Sequence, residues 1–214
     1  MIYLPARDCQ TPGLEYIYSA IFGQKTDGTF VEIGANDGIS WSNTAFLAKI
    51  GWKGLYVEPM PHFYEQCRAN YIDNDRIVVS NAMIGSGDFV EVYSHKGYDD
   101  LYTADPDFVK NLSANNLVGT FPTVPLHDLL EVYSIPREFE LLVIDVEGME
   151  LEVLRSPGVL MWRPQMLIIE THELSPNEGL RCHTFQIDYC MQALDYSKIY
   201  TSEINTIYID RKKL

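Results

Sequence analysis

Acidic side chains stand at the ends of apolar runs in this sequence, where an open α/β sheet places its chemistry. The run Thr29–Ile33 (TFVEI) holds Glu32 and leads into Gly34-Ala35-Asn36-Asp37-Gly38. The run Gly54–Val57 leads into Glu58-Pro59, and Arg76–Ser80 into Asn81-Ala82. Glu140–Ile144 (ELLVI) is followed by Asp145-Val146-Glu147-Gly148, and Gln165–Ile169 (QMLII) by Glu170-Thr171-His172-Glu173. Glycines in the first of these loops let the backbone turn tightly and approach a ligand. A dinucleotide pyrophosphate calls for GxGxxG, which this loop lacks. Its carboxylates repel phosphate and suit a cationic group. S-adenosylmethionine has an amino acid end, a sulfonium and no phosphate. Glu58 is placed to accept hydrogen bonds from ribose hydroxyls, and Asn81-Ala82 to meet an adenine edge. The ribose acid serves NAD equally, so it marks adenosine rather than a reaction. Read singly, the loop is also a generic turn in which Asn-Asp-Gly supplies positive φ, and Asp145 is also a helix cap before Gly148.

The elements that position these residues alternate in type, which predicts an α/β fold with a mostly parallel sheet. Helices are expected near Ser42–Ile50, with Ser40 or Ser42 as cap, and near His62–Tyr71, Leu126–Tyr133, Met149–Arg155 and Thr184–Leu194. A short strand is expected over Gly87–Val92. The stretch from Ser94 to Thr123 is polar and weakly periodic, and is expected to be an insertion or lid on the acceptor side (residues 95–123). Its tyrosines and phenylalanines (Tyr93, Tyr98, Tyr102, Phe108, Phe121) suit stacking on sugar faces. Ser197–Tyr200 and Thr206–Ile209 suit an antiparallel hairpin at the sheet edge. With 214 residues and no dividing linker, a single domain over residues 1–214 is expected.

Thirty acidic residues oppose 16 basic ones, a net charge of −14. A field of that sign disfavours nucleic acid as a partner. No apolar run is long enough for membrane insertion, and no signal peptide is expected at the N-terminus. Cys9, Cys67, Cys182 and Cys190 form no CxxC pair, which suits reduced thiols and a cytoplasmic location.

The run from Phe30 to Tyr71, with its GANDG loop, Ser42-Asn43-Thr44, Gly51-Trp52-Lys53-Gly54 and Glu58-Pro59, resembles the FkbM-type methyltransferase family. Ile144-Asp145-Val146-Glu147-Gly148-Met149-Glu150 resembles the family's IDVEGxE motif. Val124–Leu130 is similar to its (T/V)xLDDLL helix, with His127 where an aspartate is usual. The resemblance spans about Thr11 to Glu173. It implies a Rossmann-like class I methyltransferase fold: a mostly parallel seven-stranded sheet with an antiparallel edge strand and helices on both faces. It also implies S-adenosylmethionine as cofactor, with Glu32, Gly34, Asn36, Asp37, Gly38, Glu58 and Asp145 as contacts and Asn81 and Ala82 beside the adenine. The implied reaction is O-methylation of a small-molecule or glycan acceptor with a free hydroxyl, such as a sugar.

Such an acceptor must lose a proton as its oxygen attacks the sulfonium methyl. Two mechanisms stay open. In one, Glu147 or His172 is the general base and no metal takes part. In the other, Asp145 and Glu170 hold a divalent cation (Mg or Mn) that lowers the hydroxyl pKa, with Glu147 as base. The second is motivated by sugar O-methyltransferases with a D-x-(D/E) pattern at this position that use magnesium. A nucleotide-dependent oxidoreductase and a non-catalytic binding module are the competing readings.

Overall fold

Apolar side chains in the central strands point both ways, so the sheet must be covered on both faces. The computed structural model describes residues 9–95, 102–106, 109, 115–156, 161–171 and 184–213. In chain order, the first elements are α1 (Leu14–Phe22), β1 (Thr29–Ile33), α2 (Ala45–Lys49), β2 (Lys53–Val57), α3 (Pro61–Asn70) and β3 (Ile77–Ser80). Next come β4 (Met83–Ile84), β5 (Phe89–His95), β6 (Tyr102–Thr103) and β7 (Asn115–Val124). The second half holds α4 (Leu126–Val132), β8 (Glu138–Ile144), α5 (Glu150–Arg155), β9 (Arg163–Glu170), α6 (Thr184–Ala193), β10 (Tyr196–Thr201) and β11 (Asn205–Asp210).

Seven strands form one sheet in the order β10-β11-β9-β8-β1-β2-β3. Val31, Ile33, Leu142, Ile144, Leu167 and Ile169 share one core with Leu130 of α4, Leu154 of α5 and Ile187 of α6. Phe30, Tyr56, Leu141, Val143 and Ile168 share the other with Leu14 and Tyr18 of α1, Leu47 of α2 and Cys67 of α3. The period-two split puts helices on both faces. Only β11, among the described strands of this sheet, runs against the rest. It is antiparallel to β9 on one side and to β10 on the other, one place in from the edge.

Parallel pairing aligns Ile33 with Val57 and with Ile144, and Ile144 with Ile169. Gly34, Glu58, Asp145 and Glu170 are each the next residue along. The register therefore brings four separate sequence motifs to one level, at the carboxyl ends of the strands and on both sides of the switch in strand order between β1 and β8. That is the ligand-binding crevice of an open α/β sheet.

A smaller sheet has the order β4-β7-β5-β6. β5 and β7 pair antiparallel from Phe89↔Pro122 to His95↔Asn115, with an irregularity at Val92/Tyr93. The polar stretch after Ser94 thus includes a ten-residue strand, β7. Its alternation is weak because Leu117 and Val118 are both exposed and Gly119 and Pro122 interrupt the run. Helix α1 is an addition to the expected elements; Leu14 and Tyr18, one turn apart, are its buried stripe. Helix α2 begins at Ala45, not Ser42, for a reason given below. No described helix is long and apolar enough to cross a membrane.

Candidate functional site

The β1 loop is built around Gly34, which has φ +84°. A Cβ there would lie 1.6 Å from the Asp145 carbonyl oxygen, so only glycine lets β1 and β8 come this close. Gly34 and Ala35 N–H both donate to the Val57 carbonyl (2.9 and 3.1 Å), and Asp145 N–H donates to Ile33 (3.0 Å). The ends of β1, β2 and β8 are thereby tied together.

Glu58 is buried and accepts the N–H of Asn36 on one oxygen and that of Met60 on the other, each at 2.8 Å. Burial pushes its carboxyl up to about 7, against the lowering effect of those donors. Asn81 Nδ2 donates to the Glu58 and Pro59 carbonyls (2.8 and 3.0 Å), bracing the turn that carries Glu58. Glu32 is also buried and pushed up to about 7 by burial. Its carboxyl accepts the hydroxyls of Ser42 (2.9 Å) and Thr44. Ser42 Oγ in turn accepts Thr44 and Ala45 N–H (3.1 and 3.0 Å), which delays the helix start to Ala45. Asp37 Oδ1 accepts Ile39 and Ser40 N–H (2.8 and 2.7 Å). The loop amides that a pyrophosphate would seek are already taken by a carboxylate.

On the far side of the switch, Asp145, Glu147 and Glu170 offer carboxylate oxygens that all lie within 4.8 Å of one another. The Asp145 and Glu170 carboxyls are hydrogen-bonded together. Burial raises the pKa of both, and for Glu170 the neighbouring charges of Asp145, Glu147 and Glu150 push further in the same direction. Glu150 shapes the turn: its Oε1 accepts Val146 and Gly148 N–H (3.0 and 3.1 Å). The backbone between them runs through positive φ at Glu147 (54°) and Gly148 (103°). Burial pushes Glu150 up to about 7. Gln10 Nε2 donates to Asp145 Oδ2 (2.9 Å), while its Oε1 accepts the amides of Asn43 and Asn205 (3.1 and 2.7 Å). Two donors on Oε1 fix the Gln10 amide so that its NH₂ faces Asp145.

Between these groups lies a cavity of about 280 Å³. Pro59, Met60, Phe63, Ala82 and Ile84 give it an apolar end; Gln10, Glu32, Asp145 and Glu147 give it a polar, acidic end. Tyr102 and Thr103 of the smaller sheet complete a wall. Thr103 Oγ1 donates to the Glu147 carbonyl (2.7 Å), and the Tyr102 ring lies 5.6 and 6.0 Å from those of His62 and Phe63.

Of the residues expected against the methyl donor, Glu32, Gly34, Asn36, Glu58, Ala82 and Asp145 line this cavity. Asp37, Gly38 and Asn81 are not part of the lining; Asp37 and Asn81 brace loops, and Gly38 backs onto Cys67 and Tyr71 of the α3 region. Glu147 lines the cavity, and Glu170 joins it through Asp145. His172, Tyr98 and Phe108 lie outside the described residues. Tyr102 reaches the cavity, whereas Tyr93 and Phe121 are not in its lining. Gln10, Trp41, Thr103 and Glu150, with Met60, Phe63 and Ile84 at the apolar end, are among the site residues that sequence reasoning did not single out. Glu150 carries a local signal, a glutamate placed to accept amides of the turn just before its own helix. Gln10 carries none.

A family model described as the methyltransferase FkbM domain matches residues 32–198. The chain belongs to that family. No curated protein matches it. Among solved structures, a SAM dependent methyltransferase from Aquifex aeolicus aligns over 97% of this chain and 93% of its own, with TM-score 0.51 and 11% identity. A putative O-methyltransferase from Klebsiella pneumoniae aligns over 97% and 83%, with TM-score 0.51 and 15% identity. The CurJ carbon methyltransferase aligns over 94% and 53%, with TM-score 0.54 and 8% identity. At these identities the likeness establishes the fold, that of class I methyltransferases. These proteins include an O-methyltransferase and a carbon methyltransferase, so the fold does not choose the acceptor atom.

As an FkbM-family member the chain is an S-adenosylmethionine-dependent methyltransferase, and the cavity fits that cofactor. Gly34, Ala35 and Asn36 line the cavity, so the turn after β1 brings backbone alongside the ligand. Buried Glu32 and Glu58 at the polar end suit a cationic amino acid and a ribose, and the apolar end suits an adenine.

Proposed function

We propose that this FkbM-family enzyme transfers the methyl group of S-adenosylmethionine to a hydroxyl oxygen of a sugar or glycan. The observation that carries this reading is the Asp145–Glu147–Glu170 cluster beside the acidic end of the cavity. A hydroxyl needs help losing its proton, whereas an acceptor that is already nucleophilic does not. Glu58, with lone pairs left after accepting Asn36 and Met60, takes the ribose hydroxyls. Glu32, Gly34, Asn36 and Asp145 surround the amino acid end, and Ala82 meets the adenine; Asp37, Gly38 and Asn81 contribute by holding the loops in shape.

In the transfer, the acceptor oxygen attacks the methyl carbon in line with the departing sulfur. The C–S bond breaks, its electron pair stays on sulfur as adenosylhomocysteine, and the hydroxyl proton passes to Glu147. The backbone turn fixed by Glu150 aims Glu147 at that task. The donor set fits a divalent cation as well: three carboxylates in mutual reach, two of them with carboxyls raised by burial, which disfavours their bare charges. Asp145 and Glu170 would hold Mg or Mn there, and the ion would lower the pKa of the acceptor hydroxyl. The strongly acidic chain makes nucleic acid a poor acceptor.

The test is methyl transfer from labelled S-adenosylmethionine to a panel of methyl glycosides, with product linkage assigned by mass spectrometry and NMR. O-methyl glycosides, and loss of turnover in Glu147→Gln, support the reading. Label transferred only to nitrogen or carbon acceptors refutes it. Full activity after exhaustive chelation removes the cation and leaves the metal-free base mechanism.

A further inference from the structure

Trp41 is an unusual residue for its position. It has φ +59°, the left-handed region that a bulky side chain adopts only under constraint. The constraint is visible on both sides. Ser40 is held through its N–H and hydroxyl by Asp37, and Ser42 by Glu32. The Trp41 carbonyl itself accepts the Gln10 N–H at 3.3 Å. The result is an indole that is 66% exposed yet lines the cavity. The other two tryptophans, Trp52 and Trp162, are 0% and 2% exposed and belong to the cores. Asn or Gly would make the same turn without strain. A large apolar ring held at a cavity mouth by an over-determined, strained backbone points to ligand contact.

The position selects which ligand. Gln10 holds the Trp41 carbonyl with its backbone and Asp145 with its side chain, so Trp41 stands by the acidic cluster. The apolar end formed by Met60, Phe63 and Ala82 is supplied by other elements. The adenine therefore has its own pocket, and the indole is free for the acceptor.

We infer that Trp41 is the acceptor-binding platform of this enzyme, stacking its indole on the C–H face of a neutral pyranoside whose hydroxyl is presented to Glu147. The neighbouring carboxylates reject anionic sugars, which restricts the class to uncharged rings. This rests on the proposed O-methylation of sugars and adds the residue that sets acceptor choice.

Fluorescence quenching gives a direct readout, because acrylamide reaches Trp41 and not the two buried tryptophans. Quenching is measured on the full chain alone, with adenosylhomocysteine, and with adenosylhomocysteine plus each methyl glycoside, using sorbitol as a non-ring control. The glycoside that serves as substrate should shield Trp41 beyond the effect of adenosylhomocysteine, and sorbitol should not. Trp41→Asn, which tolerates the left-handed backbone, should keep its melting temperature and its adenosylhomocysteine affinity. Its KM for the glycoside should rise by about tenfold, with Trp41→Phe restoring part of the loss. Complete shielding by adenosylhomocysteine alone assigns Trp41 to the cofactor and overturns the inference. So does a glycoside methylated with unchanged KM by Trp41→Asn, which leaves the proposed function standing. Absence of transfer to any glycoside overturns the proposed function and the inference together.

Discussion

Replacing Gly34 with alanine should damage fold and cofactor binding together. The new Cβ would sit 1.6 Å from the Asp145 carbonyl oxygen, where contacts under 3.0 Å are essentially unknown. The atom it meets is backbone, so no rotamer change relieves the clash. β1 and β8 must part by more than an ångström, and alanine must also hold φ +84°. The left-handed backbone costs about 1–2 kcal/mol and the overpacking about 1–3 kcal/mol. A loss of about 2–5 kcal/mol in a chain of this size lowers the melting temperature by roughly 5–15 °C. The same displacement moves Asp145 relative to Glu32 and Glu58, and misplacement on the order of 1 Å can reduce function about a hundredfold. The assays are differential scanning calorimetry and calorimetric titration with adenosylhomocysteine. Two controls separate the effects. A Cβ at Gly119 meets Phe121 at an ordinary 3.4 Å, so Gly119→Ala should be close to neutral. At Gly54, near the opposite end of β2, it meets Phe30 at 2.2 Å, so Gly54→Ala should destabilise the core and leave ligand affinity intact. An unaltered melting temperature and affinity in Gly34→Ala refutes the reasoning. Equal affinity losses in Gly34→Ala and Gly54→Ala would show that binding merely follows stability.

Further expectations concern the buried acids and their partners. Glu32, Glu58 and Glu150 have carboxyls raised from 4.5 to about 7, so the folded chain holds protons that the unfolded chain has released across that window. Stability of the ligand-free protein should therefore fall as pH rises from about 4.5 to 7 and level off above, by up to about 3 kcal/mol per group; urea melts across pH show it, and rising stability in that window contradicts it. Affinity for the cationic methyl donor should increase over the same range, measured by titration at several pH values. Gln10→Ala removes the amide that holds Asp145 and leaves Asn43 and Asn205 without their shared acceptor, for a loss of about 1–3 kcal/mol, while Gln10→Glu adds a like charge beside Asp145 and should be worse. Glu150→Gln offers an amide oxygen to the same two N–H groups and should retain the fold, whereas Glu150→Ala should destabilise by about 1–3 kcal/mol and slow turnover through Glu147; thermal melts and kcat separate the two.

The strands that carry the site were legible because fully buried parallel strands are continuous apolar runs, as TFVEI, ELLVI and QMLII are. The acids at their ends follow directly, and the in-register rows explain why Gly34, Glu58, Asp145 and Glu170 converge. β7 was illegible because a half-exposed strand with Gly119 and Pro122 has no clean period. Ser40 or Ser42 is the expected helix cap, and Ser42 does accept amides, but its hydroxyl and that of Thr44 also serve buried Glu32 and the helix starts only at Ala45. Gln10 shows the limit of local reading. Its partner Asp145 is 135 residues away, and only the folded chain brings them together.

The placement of the methyl donor is tested most directly by calorimetric titration of the wild-type chain with adenosylhomocysteine and with NAD, repeated on Glu58→Ala. Saturable single-site binding of adenosylhomocysteine, no binding of NAD, and loss of affinity in Glu58→Ala are the expected results. Binding of NAD in preference to adenosylhomocysteine, or affinity untouched by Glu58→Ala, would contradict the assignment of this cleft.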